Sequence, residues 1–315
     1  MQITFLGTSA GVPTRQRNVS SVALRLAQRA EWWMFDCGEA TQHQILHSDL
    51  KISQLRRIFI THLHGDHIFG LMGLLASYGM AGNSHSIDVY GPPGIEEYIG
   101  ACTRYSETRF AYPIEIHTVG PGEVYKDEEF TVSCNLLKHR ITAFGYRVSE
   151  QDRPGRFDVE KATALGIHPG PLYGRLKRGE QITLADGRRV NGAELCGPPV
   201  IGRKIVYCTD TTYCKTAVEL ARDADVLIHE ATFSSQDTEN ARRSMHSTTE
   251  MAARVAHEAG VKQLILTHLS PRYVPGNTIE PDDLLREARV IFPDTELAYD
   301  FMSFEIPRHQ TALHT

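Results

Sequence analysis

The chain has 315 residues, 41% hydrophobic and 23% charged, an ordinary globular composition with room for a sizeable core. No run approaches the ~20 apolar residues that a membrane span needs, and the opening "MQITFLGTSAG" has no basic leader before an apolar block, so the expectation is a cytoplasmic protein with no membrane partner. A net charge of −5 counts against a nucleic-acid partner, but only if that charge is evenly spread.

In chain order, short β-rich runs come first: Ile3 to Leu6, Val22 to Leu26 and Trp32 to Phe35. Glu39, His43 and His47 then fall four apart on one helix face, read as an amphipathic surface in preference to a metal site. Leu55 to Ile60 is an apolar strand ending at "THLHGDH", and Gly70 to Tyr78 reads as a buried helix. A strand over Ile87 to Tyr90, a helix from about Pro93, and strands over Phe130 to Leu136 and Phe144 to Val148 follow. The stretch "LGIHPGPLYGRLKRGEQ" (165–181) is poor in apolar residues and broken by Gly and Pro, so roughly 150–200 reads as irregular. Regularity resumes with a strand over Lys204 to Cys208 ending in "TDT" and another over Val226 to His229 ending in "HEATF". A helix over Thr248 to Ala259 carries the capping signature Ser247-Thr248-Thr249-Glu250, and a strand over Leu264 to Leu266 ends in "THLS". Two α/β halves around an irregular segment imply one α/β domain, 1–315, with an insertion at about 150–195. The tail from Pro307 is read as frayed, which removes His309 and His314 as ligand candidates.

"THLHGDH" is the sharpest signal. Alternate residues of extended chain face the same way, so His62 and His64 can aim at one ion. Gly65 permits a sharp turn that lets Asp66 and His67 aim at a second. Imidazole and carboxylate are the donors Zn²⁺ takes when thiolate is absent. The six cysteines (Cys37, Cys102, Cys134, Cys196, Cys208, Cys214) form no CxxC pair and read as small buried residues. Two ions need further ligands, and the candidates stand at strand ends: His139, Asp210 and His268. His85, His117, His168 and His257 have no sequence neighbours that suggest chemistry.

This HxHxDH followed by isolated His, Asp and His resembles the metallo-β-lactamase superfamily. "HEAT" at 229–232, "HST" at 246–248 and "PTRQRN" at 13–18 are similar to motifs of the ribonuclease Z family, whose loop reads PxKxRN. Arg15 departs from the usual Lys. The resemblance implies an α/β fold, an αββα sandwich with a protruding flexible arm over about 150–195. It implies two Zn²⁺ per subunit, one on His62, His64 and His139, the other on Asp66, His67 and His268, with Asp210 bridging. It implies a zinc-dependent endoribonuclease that removes 3′ trailers from precursor tRNA, leaving a tRNA 3′-hydroxyl and a trailer 5′-phosphate, and a homodimer. Asp66 is the expected proton acceptor and His246 the expected acid, oriented by Glu230, with His229 outside the catalytic set. A small-molecule hydrolase or phosphodiesterase of the same fold, and an RNA-binding protein with structural zinc, are the competing readings.

Charge is in fact segregated. Arg153, Arg156, Lys161, Arg175, Lys177, Arg178, Arg188 and Arg189 outnumber the acids between Gln151 and Gly192, and Arg15, Arg17, Arg25 and Arg29 form a second basic group. The RNA-binding candidates are Arg15, Arg17 and Asn18 in the loop and Arg175, Lys177 and Arg178 in the arm, through phosphate contacts and counterion release.

Overall fold

The computed structural model describes residues 1–308, so His309 and His314 lie outside the described residues. Strands run over Gln2–Gly7 (β1), Ser21–Leu26 (β2), Glu31–Phe35 (β3), Leu55–Phe59 (β4), Ile87–Gly91 (β5) and Ile114–Thr118 (β6). They continue over Gly122–Lys126 (β7), Phe130–Leu136 (β8), Phe144–Glu150 (β9), Gln181–Thr183 (β10) and Arg189–Asn191 (β11). Lys204–Cys208 (β12), Val226–Glu230 (β13), Gln263–Thr267 (β14), Thr295–Leu297 (β15) and Ser303–Glu305 (β16) complete them. Helices occupy Thr41–Leu46 (α1), Gly65–Ile68 (α2), Leu71–Met80 (α3), Ile95–Ser106 (α4), Val159–Ala164 (α5) and Pro171–Lys177 (α6). Lys215–Ala221 (α7), Thr238–Ser244 (α8), Thr249–Ala259 (α9) and Pro281–Ile291 (α10) follow.

Two compact units emerge. The larger comprises Met1–Asp127, Thr131–Val148 and Lys204–Ile306. It is built on two seven-stranded sheets, ordered β16-β1-β2-β3-β4-β5-β6 and β15-β14-β13-β12-β9-β8-β7. β3 shows how sequence alternation becomes layering: Trp32 and Met34 join the cluster under α1, α3 and α4, while Trp33 and Phe35 face the other way. There Phe35 and Phe59 meet Tyr146 and Tyr207 of the second sheet, with ring centroids 5.4–6.1 Å apart. The far face of the second sheet is covered by the alanine-rich sides of α7 and α9. The result is helix, sheet, sheet, helix: the expected αββα sandwich. β3 to β6 run parallel, as do β12 to β15. Loops leaving the carboxyl ends of such strands are where an α/β sheet presents ligand groups.

Among the described residues, the smaller unit comprises Glu128–Phe130, Ser149–Arg203, Pro307 and Arg308. Here the reading of 150–200 as irregular is overturned. Asp158 caps α5 by accepting from Lys161 N (2.9 Å), Pro171 opens α6, and β10 pairs with β11 in a hairpin. Phe157, Ala162, Ile167, Tyr173, Leu176, Ile182, Val190 and Leu195 are all buried in a core of their own. Gly192 is required by close approach, because a Cβ there would sit 2.3 Å from Leu176 O. The core is invisible in the 17-residue stretch because most of its members lie on either side of it.

Candidate metal centre and active site

The site grows from the loops after β3, β4, β12, β13 and β14, together with the turn after β8 and the turn after α8. Beyond β4 the chain stays extended through His64 and then enters α2 at Gly65, which redirects Asp66 and His67. Two groups of donors result. His62, His64, His139 and Asp210 have ligand atoms all within 4.8 Å of one another, and so do Asp66, His67, Asp210 and His268. Asp210 belongs to both. Its Oδ2 lies 3.3 Å from His62 Nε2 and its Oδ1 3.2 Å from both His67 Nε2 and His268 Nε2. All seven expected ligands are therefore brought together.

The outer hydrogen bonds say which nitrogens face inward. Asp36 Oδ2 accepts from His67 Nδ1 (2.8 Å) and from Tyr207 OH (3.1 Å), while the Thr61 hydroxyl and amide donate to Oδ1. With its hydrogen given to Asp36, Thr61 Oγ1 accepts from His62 Nδ1 (3.0 Å). His139 Nδ1 donates to Met245 O (3.1 Å), and His268 Nδ1 to Thr232 Oγ1 (3.0 Å), whose own hydrogen goes to Glu230. Four imidazoles thus have Nδ1–H tied outward and an Nε2 lone pair turned inward. The lone pairs of His62 and His139 come within 3.0 and 3.2 Å of His64 Nδ1, and buried His67 Nε2 has no hydrogen-bond partner. Converging lone pairs beside buried carboxylates are costly unless a cation lies among them, so the donor set fits divalent metal ions. Burial pushes His139 down to about 4 and also lowers His64, keeping both neutral as ligands must be. Burial opposes the charge of Asp66 and Asp210, yet the surrounding imidazoles hold both well below the usual carboxylate range. Gly11 N donates to Asp66 Oδ2 (2.8 Å), fixing that carboxylate from the first loop.

His246 stands beside the clusters with Nδ1 2.9 Å from Glu230 Oε1 and Nε2 4.0 Å from Asp210 Oδ2. Its ring stacks against His268 at 5.5 Å. Burial works against its charge, but Glu230 outweighs it and pushes His246 up to about 9. Glu230 is fully buried and also accepts from Thr211 N, Thr232 N and Thr232 Oγ1. His229, by contrast, is buried with Nδ1 on the Glu230 carbonyl and burial lowering its pKa.

Several contributors escaped the sequence reading. Asp36 and Tyr207 orient the ligands without any motif of their own, although Asp36 does stand just past a strand end; Thr61 and Thr232 stand inside "THLHGDH" and "HEAT", but nothing local marks them as partners of His62 and His268. Met245 takes a left-handed conformation (φ 60°) that ends α8, giving its carbonyl to His139 and turning His246 inward. Asp36, Asp210 and His268 share that strained region of φ, at 57°, 46° and 59°. His117, read as isolated, in fact lies with Asp88 and Glu115 across β5 and β6, where Arg57 pairs with Asp88 at 3.4 Å.

The loop candidates divide. Arg15 is exposed, but the Arg17 guanidinium turns inward, donating to Thr8 Oγ1 (2.7 Å) and Ala298 O (2.6 Å). Asn18 is tied by its side chain to Glu39 O and by its amide to Asp300. In the smaller unit, Arg175 and Arg178 both bond Glu180, and Lys177 Nζ stands 5.8 Å from the Phe157 ring centre. Glu39, His43 and His47 form no donor cluster among the described residues.

Residues 1–143 match the family described as Anti-Pycsar protein Apyc1, and residues 182–269 match the Beta-lactamase superfamily domain. With the αββα layers and paired donor clusters, this places the chain in the metallo-β-lactamase superfamily. A Cyanothece sp. protein named Ribonuclease Z is 70% identical over 309 residues, covering 98% of this chain and 97% of that protein. One of the same name from Nostoc sp. is 70% identical over 310 residues, 98% and 96% of the two chains. The crystal structure of human tRNase Z, short form, aligns with a TM-score of 0.71 at 31% identity, over 98% of this chain and 100% of that one. The chain belongs to the ribonuclease Z family.

Proposed function

We propose that this protein is a metal-dependent endoribonuclease that removes 3′ trailers from precursor tRNA, leaving a 3′-hydroxyl on the tRNA and a 5′-phosphate on the trailer. The observation that carries the reading is a pair of donor clusters sharing Asp210 with a charged His246–Glu230 pair at their side. That is more than a structural metal site needs, since such sites are closed and single. Two Zn²⁺ per subunit would be held by His62, His64 and His139 and by Asp66, His67 and His268, with Asp210 a candidate donor to both. When bound, such ions lower the pKa of water from about 15.7 towards ~7 and neutralise charge on a phosphoryl group.

Asp66, ionised at neutral pH, accepts the proton of the attacking water. His246, cationic through its pair with Glu230, donates a proton from Nε2 to the departing 3′-oxygen. Arg15 and the arm residues Arg175, Lys177 and Arg178 supply phosphate contacts; Arg17 and Asn18 hold the shape of the loop that carries Arg15. A cytoplasmic homodimer, as the family resemblance implies, completes the reading.

The test is the Asp66→Ala variant with one precursor tRNA. Cleavage at the trailer junction should vanish while precursor binding persists in a gel-shift assay. Undiminished turnover, or wild-type cleavage elsewhere than the junction, refutes the proposal.

A further inference from the structure

The turn after β8 and the end of α8 meet beside the site and carry four cations that have no part in the proposed chemistry. Lys138 and Arg140 flank the ligand His139; Arg242 and Arg243 precede the acid His246 by four and three positions. All four are exposed, and none has a carboxylate partner among the described residues. The nearest acid in sequence is the exposed Glu239, one helical turn before them on α8. The two segments are locked to each other: Arg140 donates to Arg243 O (2.7 Å), alongside the bond from His139 to Met245 O. The Lys138 backbone is pinned from the far side, its amide donating to Thr211 Oγ1 (3.1 Å) and its carbonyl accepting from Thr212 N (3.0 Å). A cationic ridge is thus built onto the His139 and His246 border of the centre. Arg15 belongs to the loop that reaches Asp66, which borders the other cluster.

Resting on the proposed reaction, we infer that Lys138, Arg140, Arg242 and Arg243 hold the RNA backbone on the tRNA side of the cut, not the trailer. The chemistry sets the direction. Cleavage that leaves a 3′-hydroxyl on the tRNA breaks the bond between phosphorus and the 3′-oxygen of the last retained nucleotide. That oxygen leaves with the electron pair and takes the proton from His246, while the phosphoryl group goes with the trailer. The last retained nucleotide therefore lies against His246, and the phosphates just upstream of it reach the ridge that begins three residues away. Each such contact releases counterions, worth about 0.7 in the salt slope for a single strand.

The experiment compares the Lys138→Ala/Arg242→Ala/Arg243→Ala enzyme with wild type, both loaded with zinc, on two precursor tRNAs differing only in trailer length, one nucleotide against about twenty. The ridge on the tRNA side predicts a KM raised about tenfold on both substrates, kcat held within about twofold, and a slope of log KM against log salt shallower by about 2. Arg242→Lys/Arg243→Lys, with Lys138 kept, should hold KM near the wild-type value. An effect seen only with the long trailer would place the ridge on the trailer, and unchanged KM and slope would remove it from RNA binding; either overturns the inference while leaving the nuclease reading intact. If wild type leaves both precursors whole, the nuclease reading falls and this inference with it.

Discussion

At the scale of single residues, the centre is governed by where hydrogen atoms are committed. Asp36 touches no candidate ion position, yet it fixes the tautomer of His67 directly and that of His62 through Thr61. Asp36→Asn should therefore lower zinc affinity about 10–100-fold by competition with a chromophoric chelator, the range for losing an outer carboxylate; unchanged affinity would mean the tautomers are set elsewhere. His246 offers a pH test. Its folded pKa of about 9 lies above the ordinary 6.5, so its cationic form contributes stability fully present below about pH 6.5 and lost as pH rises through about 9. Because that form is also the proton donor, kcat/KM on precursor tRNA should fall as pH climbs past about 9. In Glu230→Gln, burial is no longer opposed by the carboxylate, and the falling limb should move to lower pH. A limb that stays put in that variant would take His246 out of the acid role.

At the scale of elements, the ligands follow strand ends, Asp66 and His67 through the short helix α2 after β4, and each second-half strand end is delivered by packing that the sequence announces plainly. β12, β13 and β14 are short apolar runs, and α9 begins one residue later than the capping signature places it: Ser247 Oγ donates to Thr211 O, and Thr248 Oγ1 accepts from Met251 N in its stead. The arm is different. Its core residues are spaced by Gly and Pro, so neither a period of 2 nor of 3.6 appears, and only the tertiary arrangement of α5, α6 and the hairpin gathers them. Removing 166–178 would take Ile167, Tyr173 and Leu176 from that core, so charge substitution is the cleaner probe of RNA binding. Arg175→Ala/Lys177→Ala/Arg178→Ala should raise KM for precursor tRNA several-fold while sparing hydrolysis of bis(p-nitrophenyl) phosphate. Since Glu180 already offsets part of this charge, a loss of more than about a hundredfold would point to damage of the fold.

At the scale of the whole molecule, the centre joins the two sheets. Ligands come from the first sheet through His62, His64, Asp66 and His67, and from the second through His139, Asp210 and His268. A cation bound among them links both sheets in the native state and has no such arrangement in the unfolded chain. Thermal melting should therefore respond to zinc: at a free concentration a hundred times Kd, one site adds about 2.7 kcal/mol. A chelator should lower Tm measurably, and zinc should restore it; a Tm indifferent to both would mean the buried donors are stable without a cation.

The sequence by itself determined the elements whose residues are periodic and the ligands crowded into one loop, because strand alternation and the HxHxDH spacing are local properties of a chain. It determined the family as well, since the motifs survive intact at 62–67, 229–232 and 246–248. Only the tertiary structure decided that Arg17 turns inward, that Asp36 anchors His67 directly and His62 through Thr61, and that Lys138 and Arg243 stand on one ridge. Those facts rest on contacts between residues as many as 281 positions apart, such as Arg17 with the Ala298 carbonyl, and a buried donor takes whichever partner the packing brings within 3 Å.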